Sequence, residues 1–260
     1  MYTLQHHPPS GGAVLTNNDS TVIGLTLAND DLNELKILTD LVTSENTTYL
    51  ILTRETVQDM RGNSLNISNL PLMVDGYERD MTHPQLTAFD LDVDTGKLTL
   101  SFSETVNASS LSINEITLQP SEDENTTAFS YSLQHVYDPP EGTFSNSTDG
   151  PVIVVYLGDN DLNEVKRIPE LATLDANTFI TLSALIVMDM VGLELVPVQN
   201  GNATRVQHYE PDVTDPELLS FNFDLDSGLL ELTFDETVNA ETLDNTRITR
   251  PRSMLPWSPL

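Results

Sequence analysis

Apolar residues largely alternate with polar ones at Leu86, Phe89, Leu91 and Val93, and again at Leu98, Leu100 and Phe102. Asp94, Thr95, Gly96 and Lys97 separate the two runs, so a period of two and a turn composition together predict a β-hairpin. Further strand-like runs follow at 113–118, 129–136, 152–157 and 178–182, and a Gly-containing turn is predicted at 189–192. Before the last of these runs the period becomes helical, with Leu162, Val165 and Ile168 on one face. Asp161, with Glu164 three residues on, reads as an Asp form of the capping box, and Pro169 limits the helix. Several short strands with one short inserted helix predict a mainly β fold, arranged as a β-sandwich.

The pattern occurs more than once. DLNELK at 31–36 returns as DLNEVK at 161–166, and the stretch 47–63 returns at 177–193, at a spacing of about 130 residues. The hairpin at 89–102, followed by SETVNA, returns at 221–234, followed by DETVNA, at a spacing of about 132. The expected organisation is therefore the C-terminal part of one repeat at 1–80 and a complete repeat at 81–212. The N-terminal hairpin of a further repeat follows at 213–249, then an unrelated or truncated tail at 250–260.

The complete copy has Pro84, an apolar strand, a Gly turn and a strand running through Phe102, Ser103, Glu104, Thr105 and Val106. The copy before it has a Thr48, Tyr49, Leu50 strand and an Asp59 to Asn63 turn of the form Asp-Met-x-Gly-Asn. This order resembles the bacterial Ig-like repeats of surface-layer and large adhesion proteins, and the likeness runs through nearly all of residues 1–249. It implies tandem Ig-like β-sandwich modules with a structural or adhesive role at the cell surface or outside the cell.

Charge narrows the choice of partners. Eleven basic residues against 40 acidic ones leave a net charge of −29, which disfavours nucleic acid and anionic membrane and favours divalent cations and basic proteins. The absence of cysteine excludes a disulfide framework and Cys-ligated zinc. No stretch approaches the roughly 20 apolar residues of a membrane helix, so no direct membrane insertion is expected. No secretory signal is visible, and the chain reads as a fragment starting in mid-repeat. Sequons begin at Asn18, Asn46, Asn66, Asn107, Asn125, Asn146 and Asn202, which would make the chain a glycoprotein in a secretory eukaryote.

The most specific chemical feature is an acidic ladder. Asp90, Asp92 and Asp94 alternate with Leu91 and Val93, so a strand would align three carboxylates roughly 7 Å apart on one face. Asn222, Asp224 and Asp226 repeat the set, as calcium binding would require, although neither stretch has the order of an EF-hand loop. A solvated strand face that discourages edge pairing would look the same. Asp80 and Asp212 precede Pro84 and Pro216 at the expected boundaries, where calcium could stiffen the array or an ordinary polar linker could run. Asp31 and Asp161, which stand in Asn- and Asp-rich stretches, are explained by helix capping without a metal.

Catalytic chemistry is poorly supplied. His6, His7, His83, His135 and His208 lack zinc-ligand spacing, and no nucleophile elbow or phosphate loop is present. Glu104 and Glu236 could in principle do glycosidase work, but they recur with the scaffold. The expected function is a non-enzymatic structural or adhesive segment, possible calcium being its only cofactor. Its partners would be other copies of the same module, cell-surface proteins or glycans. The alternative is a set of accessory modules of a larger enzyme.

Overall fold

The structure is a computed structural model, and it describes residues 1–5, 19–67, 70–125, 129–134 and 142–249. The tail expected at 250–260, His6, His7, His135 and the Asn18 sequon lie outside the described residues. The chain divides into two compact units, Met1–Val213 and Thr214–Leu260. It is mainly β: two α-helices, α1 (Asn29–Ile37) and α2 (Asp159–Arg167), accompany twelve strands among the described residues.

In residues 19–80 α1 is followed by a two-stranded ladder of β1 (Tyr49–Leu50) and β2 (Leu72–Met73). The next strands are β3 (Leu86–Asp92), β4 (Lys97–Val106), β5 (Ile116–Gln119), β6 (Tyr131–Ser132) and β7 (Gly150–Tyr156). After α2 come β8 (Phe179–Leu182), β9 (Thr204–Arg205) and β10 (His208–Glu210). One four-stranded sheet has the order β10-β3-β4-β7 and the other β6-β5-β8-β9.

The alternation along the hairpin becomes a division between core and surface. Phe89, Leu91, Leu98 and Leu100 are fully buried, while Asp90, Asp92 and Thr99 between them are half-buried. Ile153 and Val155 of β7 join them, and Ile116, Leu118, Ile180 and Leu182 of the second sheet belong to the same buried cluster. The two sheets therefore share one core, each large aliphatic side chain in it contributing about 1.5–3 kcal/mol by leaving water. At the β3–β4 turn the Asp92 carboxylate accepts hydrogen bonds from the Thr95 amide and hydroxyl. Gly96 then takes φ +68°, where a Cβ would stand 3.1 Å from the Leu157 carbonyl oxygen, so the position requires glycine.

Helix α2 begins earlier than its sequence suggests. Gly158 is its N-cap, with no side-chain cap bond, so Asp161 lies inside the first turn. The capping role expected for Asp161 is thus replaced by a buried tie. Its carboxylate accepts from the Tyr131 hydroxyl at 2.7 Å, from the Gln134 amide at 3.0 Å and from the Thr143 hydroxyl. Asp31 of α1 makes the matching contacts with the Tyr2 hydroxyl at 2.6 Å and the Gln5 amide at 2.9 Å, and α1 has Ala28 as its N-cap. Val165 and Ile168 are buried as the helical period predicts.

Among the described residues of 19–80, only Ala28 and Asp31 are buried. Leu50 and Leu52 are 55% and 40% exposed, whereas Ile180 and Leu182, one repeat later, are in the core. The unit Thr214–Leu260 contains the antiparallel hairpin of β11 (Leu218–Asp224) and β12 (Leu229–Phe234).

Candidate metal centre

The last three residues of β4 are buried although two of them are polar: Glu104, Thr105 and Val106. On one side, Asn33 of α1 accepts a hydrogen bond from the Thr105 amide at 3.0 Å, and the Thr105 hydroxyl donates to the Asn33 carbonyl at 3.1 Å. One turn further along α1, the Lys36 ammonium donates to Glu104 Oε2 and stands 2.6 Å from Asp80 Oδ2. A helix presents residues three apart on the same face, so Asn33 and Lys36 meet the strand end together. On the other side lies the turn at 189–192. Val106 bridges to Asp189, and the Asn107 amide donates to the Met188 carbonyl at 2.8 Å.

Asp189 shapes that turn, its Oδ1 accepting from the amides of Val191 at 2.9 Å and Leu193 at 2.7 Å. Asp59 makes the same turn one repeat earlier, with bonds from the amides of Arg61 and Asn63, but it is exposed. Asp80, Glu104 and Asp189 each offer a carboxylate oxygen, and these atoms lie within 4.8 Å of one another. Glu104 is only 6% exposed and Asp189 2%. Glu104 Oε1 and Asp189 Oδ2 are both buried and have no hydrogen-bond partner.

The electrostatics of the group follow from this crowding. Burial pushes the Glu104 carboxyl up, and the pull of Lys36 does not offset burial together with the nearby Asp80 and Asp189 charges. For Asp80 burial also acts upward, but the bonds from Lys36 and the Thr82 amide outweigh it and hold the carboxyl below its ordinary value. Burial acts downward on Lys36, and its two carboxylate partners more than compensate, raising its pKa. Lys36 thus shifts as it would in a simple ion pair, whereas Glu104 does not, because burial outweighs the pull of the ammonium. Oxygen ligands of this kind suit a hard cation.

The other residues singled out for calcium take separate places. Asp90 accepts from the His208 amide at 3.1 Å, Asp94 from the Val213 amide at 3.0 Å, and Asp92 holds its own turn. Asp224 holds the β11–β12 turn in the same way, through the amides of Asp226 and Ser227 and the Ser227 hydroxyl, and Asp226 is exposed in that turn. Turn chemistry thus accounts for oxygen-bearing residues recurring at both places. Asp212 pairs with Lys166 at 2.8 Å. Of the seven residues, Asp80 alone belongs to the cluster.

Comparison with other proteins adds no relative. No protein-family model, curated protein or solved structure matches this chain. The centre thus rests on its own residues. Glu104 and Asp189 were not singled out as metal ligands from the sequence, yet a signal for the docking residues was present in its recurrences. Asn33, Lys36, Asp80, Glu104 and Thr105 have repeat counterparts in Asn163, Lys166, Asp212, Glu236 and Thr237. Among the described residues, no helix is long and apolar enough to cross a membrane.

Proposed function

We propose that this chain is a non-enzymatic structural or adhesive segment of a cell-surface or extracellular protein, built from tandem Ig-like β-sandwich modules. The observation that carries this reading is the docking of α1, which belongs to one repeat, onto the buried end of β4, which belongs to the next. Asn33 and Lys36 supply that contact, and both recur in the following copy as Asn163 and Lys166. A helix whose recurring spacing serves the neighbouring repeat is a coupling device, and coupled repeats make a spacer. Two sheets on one core favour the sandwich architecture. Burial of Glu104 in contact with the Lys36 ammonium favours a structural role for it. Sequons at Asn46, Asn66, Asn125, Asn146 and Asn202 are exposed and open to a glycan, which suits an extracellular location. The acidic surface suits basic cell-surface proteins, or other copies of the module met through divalent cations.

Hydrogen exchange tests the coupling. In the unaltered chain the amides of 32–37 should exchange slowly despite the scant core beneath α1. In the double variant Asn33→Ala, Lys36→Met they should exchange at least tenfold faster, as should the Thr105 amide that loses Asn33, while the amides of β3, β8 and the rest of β4 keep their protection. Equal protection of α1 in both proteins would mean that the docking does not couple the repeats.

A further inference from the structure

We propose that Asp80, Glu104 and Asp189 form a binding site for one divalent cation of the calcium class, placed where the segment 19–80 meets the end of β4. Three carboxylates face one ammonium there, which leaves two negative charges uncompensated in a largely buried space. A single divalent ion supplies the missing charge. A buried carboxylate oxygen without a donor is unfavourable, and this site holds two, Glu104 Oε1 and Asp189 Oδ2. Both are the second oxygens of carboxylates whose first oxygens are engaged, Glu104 Oε2 by Lys36 and Asp189 Oδ1 by the Val191 and Leu193 amides. Those two side chains are therefore held in place while their second oxygens remain available, and Asp80 beside them is fixed at both oxygens, Oδ2 by Lys36 and Oδ1 by the Thr82 amide at 3.0 Å.

Distances agree with this assignment. Two oxygens on one calcium ion, each bound at about 2.4 Å, stand at most about 5 Å apart, and the three ligand atoms lie within 4.8 Å of one another. Calcium tolerates irregular, partly hydrated shells of six to eight oxygens, whereas magnesium demands a near-ideal octahedron, and a cluster with Lys36 on one side offers no such symmetry. The three ligands come from distant parts of the chain: the segment before β3, the end of β4 and the turn at 189–192. An ion there ties α1's repeat to the next one. This inference rests on the docking reading above, but calcium binding and α1 protection are separate measurements. A chain that keeps α1 protected yet binds no calcium would overturn the cation site and leave the docking intact.

The test begins with the full chain freed of metal by a chelator and titrated with calcium chloride in a calorimeter. The expected result is one site whose affinity falls at least tenfold in Asp189→Asn and in Glu104→Gln, and is unchanged in Asp92→Asn. Asparagine and glutamine keep one side-chain oxygen, so the turn bonds to Asp189 and the Lys36 contact can persist, and circular dichroism checks that each variant is folded. Crystals of the unaltered chain soaked in terbium chloride give a second readout independent of any variant. An anomalous peak between Glu104 and Asp189 supports the site. Absence of calcium binding, affinity in both variants equal to that of the unaltered chain, or terbium only at other carboxylates overturns it.

Discussion

Asp161 shows how one residue type serves two purposes that a sequence cannot separate. An aspartate near the start of an amphipathic helix reads as a cap, because caps and first-turn carboxylates share the same local pattern. The carboxylate instead receives Tyr131, Gln134 and Thr143, which are 18 to 30 residues away, and only the fold brings them there. Burial, with the Asp161 hydrogen bond next, raises the pKa of the Tyr131 hydroxyl. Its folded-state pKa lies above the unfolded value of about 10, so its contribution is complete below that pH and is lost as pH rises through the folded value. Stability measured by urea unfolding should therefore decline above about pH 10. Tyr131→Phe should be less stable by about 1.5–3 kcal/mol at pH 8, through loss of a hydrogen bond to a charged acceptor, and should decline less steeply in the alkaline range. A variant with the same alkaline slope as the unaltered chain would show that Tyr131 is not the titrating group.

At the scale of elements, the two hairpins have the same pattern and different fates. Phe89, Leu91 and Val93 are 0%, 1% and 3% exposed in β3 and the turn after it. Their counterparts Phe221, Phe223 and Leu225 are 61%, 57% and 83% exposed in the unit Thr214–Leu260. Period two tells which face of a strand is apolar, not whether a second sheet covers it. An apolar face with open edges promotes association, so this polypeptide should self-associate reversibly as its concentration rises. Phe223→Glu should shift sedimentation velocity profiles toward monomer at every concentration without changing the melting of the unit Met1–Val213. Equal self-association by both proteins would place the sticky surface elsewhere. Strand β10 was not legible at all. Its three residues His208, Tyr209 and Glu210 carry no apolar alternation, and they pair in parallel with β3, a contact spanning more than a hundred residues that no local pattern encodes.

For the whole molecule, the net charge of −29 acts against compactness at every point of the surface. Screening shortens the reach of that repulsion, from roughly 30 Å at 0.01 M salt to about 10 Å at 0.1 M. The thermal midpoint of the metal-free chain should therefore rise by several degrees between about 10 and 150 mM sodium chloride, as followed by circular dichroism. A midpoint that falls over this range would mean that ion pairs such as Lys36 with Asp80, rather than net repulsion, dominate the electrostatics. The same excess of acid makes a ladder such as Asp90, Asp92 and Asp94 conspicuous as a cation candidate in the sequence. In a chain this acidic, runs of carboxylates arise on many exposed faces, and spacing along a strand measures only local proximity.

By itself the sequence determined the repeat, the mainly β character, the β3–β4 hairpin with its glycine turn and the apolar face of α2. Each of these follows from periodicity or turn chemistry over a few residues, where geometry is local. The tertiary structure alone decided that Asp161 is a buried tie, that β10 joins β3, and that Asp80, Glu104 and Asp189 stand within 4.8 Å of one another. Those outcomes depend on contacts between residues far apart in the chain, and on which carboxylates lose water while doing so. A carboxylate acquires a cation-binding role from the company it keeps in a buried space, and that company is set by the fold.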